Sequence, residues 1–169
     1  GSFIDLITIY ENVINVSDFG ISFAGDKGTF ANVTANNISQ TSIGLHVPAT
    51  SGFPLNGIID SNRILNSSSI GIGPTASRFG NATVKNNFIN GSSTIGIHTL
   101  PLGNSYFINN TIIGASAGIT LVGGSFTQTF INNTILDFTF SGITANNVII
   151  SGGILNSSTA SSGISSPGG

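Results

Sequence analysis

The stretch Asn87-Phe88-Ile89-Asn90-Gly91-Ser92-Ser93-Thr94-Ile95-Gly96-Ile97 decides how the rest of the chain is read. Its skeleton is Asn, any residue, Ile, a spacer of five or six residues, then Gly followed by Ile or Leu. Upstream the skeleton runs as Asn12-Val13-Ile14…Gly20-Ile21, Asn36-Asn37-Ile38…Gly44-Leu45 and Asn62-Arg63-Ile64…Gly71-Ile72. Downstream it runs as Asn110-Thr111-Ile112…Gly118-Ile119 and Asn133-Thr134-Ile135…Gly142-Ile143. Successive ladder Asn positions lie 24, 26, 25, 23 and 23 residues apart. A fixed period in this range marks a repeat array in which one supersecondary unit stacks on the next. Each period holds short β-branched runs separated by Asn, Gly and Ser, and helical i, i+3, i+4 spacing persists nowhere. The chain therefore reads as all-β, a parallel β-helix (β-solenoid) of about six to seven coils.

A coil of about 24 residues accommodates three short strands and three bends, with aligned positions stacked about 4.8 Å apart. Ile14, Ile38, Ile64, Ile89, Ile112 and Ile135 are then expected to form one inward column. Ile21, Leu45, Ile72, Ile97, Ile119 and Ile143 are expected to form a second. No single coil can bury its apolar face, so the core exists only when coils stack. Asn12, Asn36, Asn62, Asn87, Asn110 and Asn133 recur at one bend, where Asn tolerates the left-handed conformation. Stacked amides there can also bond to one another as a ladder. The Gly before each Ile or Leu suits either a positive φ or a place without room for a side chain. Phe30–Thr34, Ala82–Lys85, Tyr106–Ile108 and Thr129–Ile131 precede the ladder Asn and read as the remaining strand of the coil. After Gly142 the register changes. Asn147-Val148-Ile149 comes only 14 residues after Asn133, and the next Gly-Ile is Gly163-Ile164, so the last coil should be short or irregular. The β-helix body is accordingly placed at 12–156, with an N-terminal strand over 1–11 and a polar tail over 157–169.

Composition narrows the function classes. Charged residues make up 6% of the chain, against about 25% in an ordinary domain. The net charge is −2 with no basic cluster, which argues against a nucleic-acid partner. No apolar run approaches the roughly 18 residues that a membrane-spanning helix needs. Cys is absent, which excludes a disulfide framework and decides nothing more about compartment. The chain opens on Gly1-Ser2 rather than Met, the mark of a processed or partial chain. A Ser, Thr and Asn surface with so little charge points to an extracellular or cell-surface location.

Nine Asn-X-Ser/Thr sequons begin at Asn15, Asn32, Asn37, Asn66, Asn81, Asn90, Asn109, Asn132 and Asn156. With 20 Asn, 24 Ser and 17 Thr in the chain, composition alone gives about five. Placement is more informative. None of the six ladder asparagines heads a sequon, while Asn37, Asn109 and Asn132 sit directly beside a ladder position. Neighbouring residues on a strand point to opposite sides. The ladder Asn therefore reads as inward and structural, and its sequon neighbour as a glycosylation candidate.

The repeat resembles that of the right-handed parallel β-helix, or pectin-lyase-like, superfamily over residues 12 to 143 or so. This resemblance implies a right-handed solenoid. Members include polysaccharide lyases and hydrolases, phage tailspikes, surface adhesins and autotransporter passengers, so function must come from a site. Polysaccharide cleavage needs paired carboxylates, about 5–9 Å apart for hydrolysis, or a base with Arg or Lys and often calcium. Asp5, Glu11, Asp18, Asp26, Asp60 and Asp137 fall at different repeat positions, and no two align on adjacent coils. His46 and His98 share a position but lie two coils apart, about 10 Å, too far for a shared metal. Both read as outward, exposed strand residues. Arg63, Arg78 and Lys85 read as solvated surface charge near the third and fourth coils. The longest insert, His46–Asn56, is too short to wall a cleft, and calcium-binding Asp/Gly nonapeptides are absent. No catalytic residue, metal or cofactor is assigned.

A β-helix has an unpaired strand edge at each end, and no amphipathic capping helix is legible at either terminus. Phe3-Ile4-Asp5-Leu6-Ile7-Thr8-Ile9-Tyr10 is apolar on both alternating faces, as a strand covered on both sides would be. Low charge leaves little repulsion against stacking. The expected function is an extracellular structural solenoid that self-associates into a filament, surface layer or adhesin stalk. A carbohydrate-active or carbohydrate-binding β-helix is the alternative, with carbohydrate as the ligand. An ice-binding face would need a flat Thr array, and Thr34, Thr83, Thr111 and Thr134 do not share one register over enough coils.

Overall fold

The computed structural model describes residues 5–23, 29–46, 55–73, 78–123 and 125–166. Among them are nineteen strands in one continuous parallel system, and no helix. Coil one is β1 (Asp5–Tyr10) and β2 (Val13–Ser22), and coil two is β3 (Thr29–Thr34) and β4 (Asn37–His46). Coil three is β5 (Leu55–Asp60), β6 (Arg63–Leu65) and β7 (Ile70–Ile72); coil four is β8 (Arg78–Lys85), β9 (Phe88–Asn90) and β10 (Ile95–Pro101). Coil five is β11 (Ser105–Ile108), β12 (Thr111–Ile113) and β13 (Ala117–Leu121); coil six is β14 (Gln128–Ile131), β15 (Thr134–Leu136) and β16 (Ser141–Thr144). Coil seven is β17 (Val148–Ser151), β18 (Ile154–Asn156) and β19 (Ser162–Ser165). Three stacks result: the strands before the ladder bend, those just after it, and those carrying the Gly-Ile step. The long strands β2 and β4 supply both of the latter two.

Register follows the repeat. Ile14, Ile38, Ile64, Ile89, Ile112, Ile135 and Leu155 are direct partners in the second stack. Ile21, Leu45, Ile72, Ile97, Ile119, Ile143 and Ile164 are partners in the third. The first stack adds Ile9, Val33, Ile59, Val84, Phe107, Phe130 and Ile150. Phe107 and Phe130 stack face to face there at 5.0 Å. Away from the end coils these columns are buried and form one core, which is why the coils hold together despite their short strands.

The bends correct one expectation and decide between two alternatives in another. The left-handed residue at the ladder bend is not the Asn but the residue before it: Glu11, Ala35, Ser61, Asn86, Asn109 and Asn132 have φ of 52–57°. Turning the chain one residue early lets the ladder Asn project into the bend. The Gly of the Gly-Ile step needs no positive φ. At Gly20, Gly44, Gly71, Gly96, Gly118 and Gly142 an added Cβ would come within 2.3–2.7 Å of the next coil's Gly carbonyl oxygen. Lack of room, not backbone freedom, demands glycine here. Boundaries change as well. β1 is the first-stack strand of coil one, paired along its length with β3, rather than a segment apart from the body. The segment taken as a polar tail carries β19, which pairs with β16, so the body runs to residue 165. Coil seven is short. Its ladder position is Gly153, and Asn147 instead precedes the first-stack strand β17.

Candidate functional site

The six ladder asparagines form one continuous column. From Asn36 to Asn133, each Oδ1 accepts two hydrogen bonds from the preceding Asn. The backbone N–H of Asn12, Asn36, Asn62, Asn87 and Asn110 donates to the next Oδ1 at 3.0–3.1 Å. The Nδ2 of the same five residues donates to that oxygen at 2.9–3.0 Å. The second Nδ2 hydrogen goes back to a backbone carbonyl of the preceding coil: Ile9, Val33, Ile59, Val84 and Phe107 accept from Asn36, Asn62, Asn87, Asn110 and Asn133. Asn36, Asn62, Asn87, Asn110 and Asn133 are buried, and Asn12 at the end of the rod is exposed. In Asn36, Asn62, Asn87 and Asn110 both amide hydrogens and the oxygen are engaged, as a buried amide requires. Asn133 keeps the bond to Phe107 but has no Asn in coil seven to donate to, so the column is a structural strut that ends at coil six.

Ionisable groups are dispersed. Asp60 pairs with Lys85 at 3.3 Å, and the two are register partners on adjacent coils. Burial pushes the Asp60 carboxyl up, but hydrogen bonds from Asn86, Ser61 and Lys85 and the Lys85 charge outweigh it and hold it below its usual value. Arg63 donates to Asn37 Oδ1 at 3.5 Å and lies over the Phe88 ring, so it and Lys85 serve different partners. His46 stacks on Phe19 at 4.3 Å, its Nδ1 lies 2.9 Å from Ser22 Oγ, and burial lowers its pKa. His98 departs from the expectation of an exposed histidine. It is buried at 7% exposure, because it sits mid-rod in coil four with Thr120 beside it in register. Asp26 and most of the His46–Asn56 insert lie outside the described residues. Among the described residues no three His, Cys, Asp or Glu side chains gather.

The sequon asparagines stand apart from the ladder. Asn15, Asn37, Asn66, Asn81, Asn90, Asn109, Asn132 and Asn156 are exposed, and Asn32 is half-buried with its Oδ1 unpartnered. Residues 19–165 match the family model described as a right handed beta helix region. The chain belongs to the right-handed β-helix family. Searches among curated proteins and among solved structures return no match.

Three features of this β-helix have no obvious place in the Asn-X-Ile-Gly-Ile pattern. A second left-handed bend recurs four residues after the ladder position, at Val16, Gln40, Asn66, Gly91, Gly114 and Asp137. Only the Gly, Asn and Asp members of that set signal it. Buried hydroxyls follow at Thr41, Ser67 and Ser92, visible only once the coils are aligned. Gly153 replaces the ladder Asn in coil seven, and the signal for it is the triplet Gly153-Ile154-Leu155 standing where Asn-X-Ile would be. The rod ends expose much of the apolar surface. Leu6, Tyr10, Val13 and Val16 are exposed in coil one, and Ile149, Ile154 and Ile164 in coil seven. No helix of the described residues is long and apolar enough to cross a membrane.

Proposed function

We propose that this β-helix is a structural subunit, at the cell surface or outside the cell, that stacks end to end on copies of itself. The observation that carries the reading is the match between its two ends. In every rung the backbone N–H at the ladder position donates to the Oδ1 of the next coil. At the last coil that position is Gly153, and none of the described residues accepts its N–H. At the first coil it is Asn12, and none of the described residues donates to its Oδ1. Placing coil one of one copy on coil seven of another lets the Gly153 N–H donate to Asn12 Oδ1, the backbone half of a rung, while the rung between coils six and seven stays open because Gly153 has no side chain. The same placement sets Ile150 against Ile9, Leu155 against Ile14 and Ile164 against Ile21, so all three core columns continue across the junction. Apolar burial at about 25 cal/mol per Å² provides the free energy, and a contact that repeats without closing makes an open rod. The carbohydrate-active alternative draws on the breadth of the family alone. Asp60, the best-buried described carboxylate, is neutralised by Lys85.

Light scattering and negative-stain microscopy across a concentration series test this. Rods whose length grows with concentration are expected. Ile164→Lys at one end, or Ile7→Lys at the other, should keep the β circular-dichroism signal and abolish growth. A monodisperse monomer at the highest attainable concentration overturns the reading.

A further inference from the structure

We infer that one face of the rod, the second stack with the bends on either side of it, is a platform for N-linked glycans carried on one asparagine per coil. Aligning the coils on the ladder position shows the arrangement. The window from one residue before that position to four after it holds eight asparagines outside the ladder. Seven of them head sequons, Asn86 being the exception. They are Asn15, Asn37, Asn66, Asn90, Asn109, Asn132 and Asn156, one in each of the seven coils. The six asparagines elsewhere supply only two sequons. Asn- and Ser-rich bends alone would scatter sequons over every bend, and they do not occur in that way.

The side chains suit the modification. All seven are exposed. Asn15 and Asn37 accept at Oδ1, from Ser39 and Arg63, and their Nδ2 donates to none of the described residues. Only Asn109 donates through Nδ2, to Asn86 Oδ1 at the outer limit of 3.5 Å. The ladder asparagines are the opposite case, because their Nδ2 hydrogens are spent inside the rod. Spacing also fits. Asn15, Asn90 and Asn156 share one register column at intervals of three coils, about 14 Å, which is room for a branched sugar on each, while Asn109 and Asn132 are neighbours on coils five and six and are the tightest pair. The donor is a lipid-linked oligosaccharide diphosphate. The sugar C1–O bond breaks, a C1–Nδ2 bond forms, the amide gives up one proton, and the diphosphate leaves with the bonding pair. This rests on the extracellular reading only in needing a secretory route, and not on end-to-end stacking.

The test is mass spectrometry of the protein purified from its own cells, before and after peptide N-glycosidase, which converts each occupied Asn to Asp. The enzyme should lower the intact mass. Conversions should fall within the seven sites and spare Asn12, Asn36, Asn62, Asn87, Asn110 and Asn133. In a glycosylating secretory host, Asn15→Gln, Asn90→Gln and Asn156→Gln should each remove one glycan from a soluble β-rich protein. A mass unchanged by the enzyme, occupancy confined to Asn32 and Asn81, or conversion at a ladder asparagine overturns the inference. Rods formed by an unglycosylated protein would leave the stacking proposal standing while this one fell.

Discussion

Asn110 belongs to two rungs at once, which makes the cost of losing it predictable. Its Oδ1 takes both hydrogens offered by Asn87, and its Nδ2 serves Asn133 Oδ1 and the Val84 carbonyl. Asn110→Ala strands these buried groups without water, so a loss of about 1–3 kcal/mol is expected. Asn110→Asp should not rescue it, because the second carboxylate oxygen would face Asn133 Oδ1. Urea denaturation of both variants checks this; wild-type midpoints would remove the ladder from the stability account. Gly96→Ala tests the other column. Its Cβ would lie 2.5 Å from Ile112 Cγ2 and 2.7 Å from the Gly118 oxygen, so a loss of about 1–3 kcal/mol is expected from overpacking. Asp60 gives the pH dependence. Its folded-state pKa lies below the ordinary value of 3.8. Its contribution is therefore complete above that value and is lost as the pH falls through the lower, folded one. The pair is close to solvent, so the effect is small, and Asp60→Asn should flatten the acid limb of a stability–pH curve only slightly.

At the scale of strands and bends, the apolar columns were legible because a fixed period forces the same residue type to the same depth in each coil. The bends were less legible. Asn is the residue that locally favours the left-handed region, yet the buried amide column claims it, and the strain passes to Glu11, Ala35 and Ser61. His98 was misjudged because alternation gives the side of a strand and not what lies over it. Coil seven was legible as a short last coil, but its ladder position and last strand were not, because Gly153 keeps the geometry of that position while dropping the residue that marks it, and because Ser162-Gly163-Ile164-Ser165 is too small and polar to announce a strand. Sequons could be counted in the chain, but their one-per-coil placement emerged only with the register. The bends carry their own prediction. Val16 is β-branched, 69% exposed and held at φ 59°, a conformation that costs a non-glycine residue roughly 1–2 kcal/mol. Val16→Asn should raise stability by about 1 kcal/mol, seen as a higher melting temperature. An unchanged or lower melting temperature would mean that Val16 makes a contact worth more than its strain.

For the whole molecule the two proposals meet at the junction between copies. Asn156 in coil seven and Asn15 in coil one lie in the same outward column of the second stack. Head-to-tail stacking makes them neighbours on adjacent coils, about 4.8 Å apart. Within one chain, sequons in that column stand three coils apart, and the junction brings two of them together, as close as Asn109 and Asn132 already are on coils five and six. The bulk of the two junction glycans excludes neither copy from folding, because both sugars project outward from an intact coil. It opposes only the final approach, by restricting the sugars' freedom as the edges close. Glycans at the two ends should therefore act as a brake on assembly, and one at Asn90, mid-rod, should not. The concentration at which rods appear is expected to be about tenfold higher for the glycosylated protein than for the enzymatically deglycosylated one, a difference of about 1.4 kcal/mol per junction. Asn15→Gln or Asn156→Gln should recover most of that gap, while Asn90→Gln should recover none. Light scattering on the three variants, expressed with glycans, measures it. If Asn90→Gln shifted the threshold as far as Asn15→Gln, the sugars would be acting through general solubility, and the head-to-tail register that sets Asn156 beside Asn15 would lose its support.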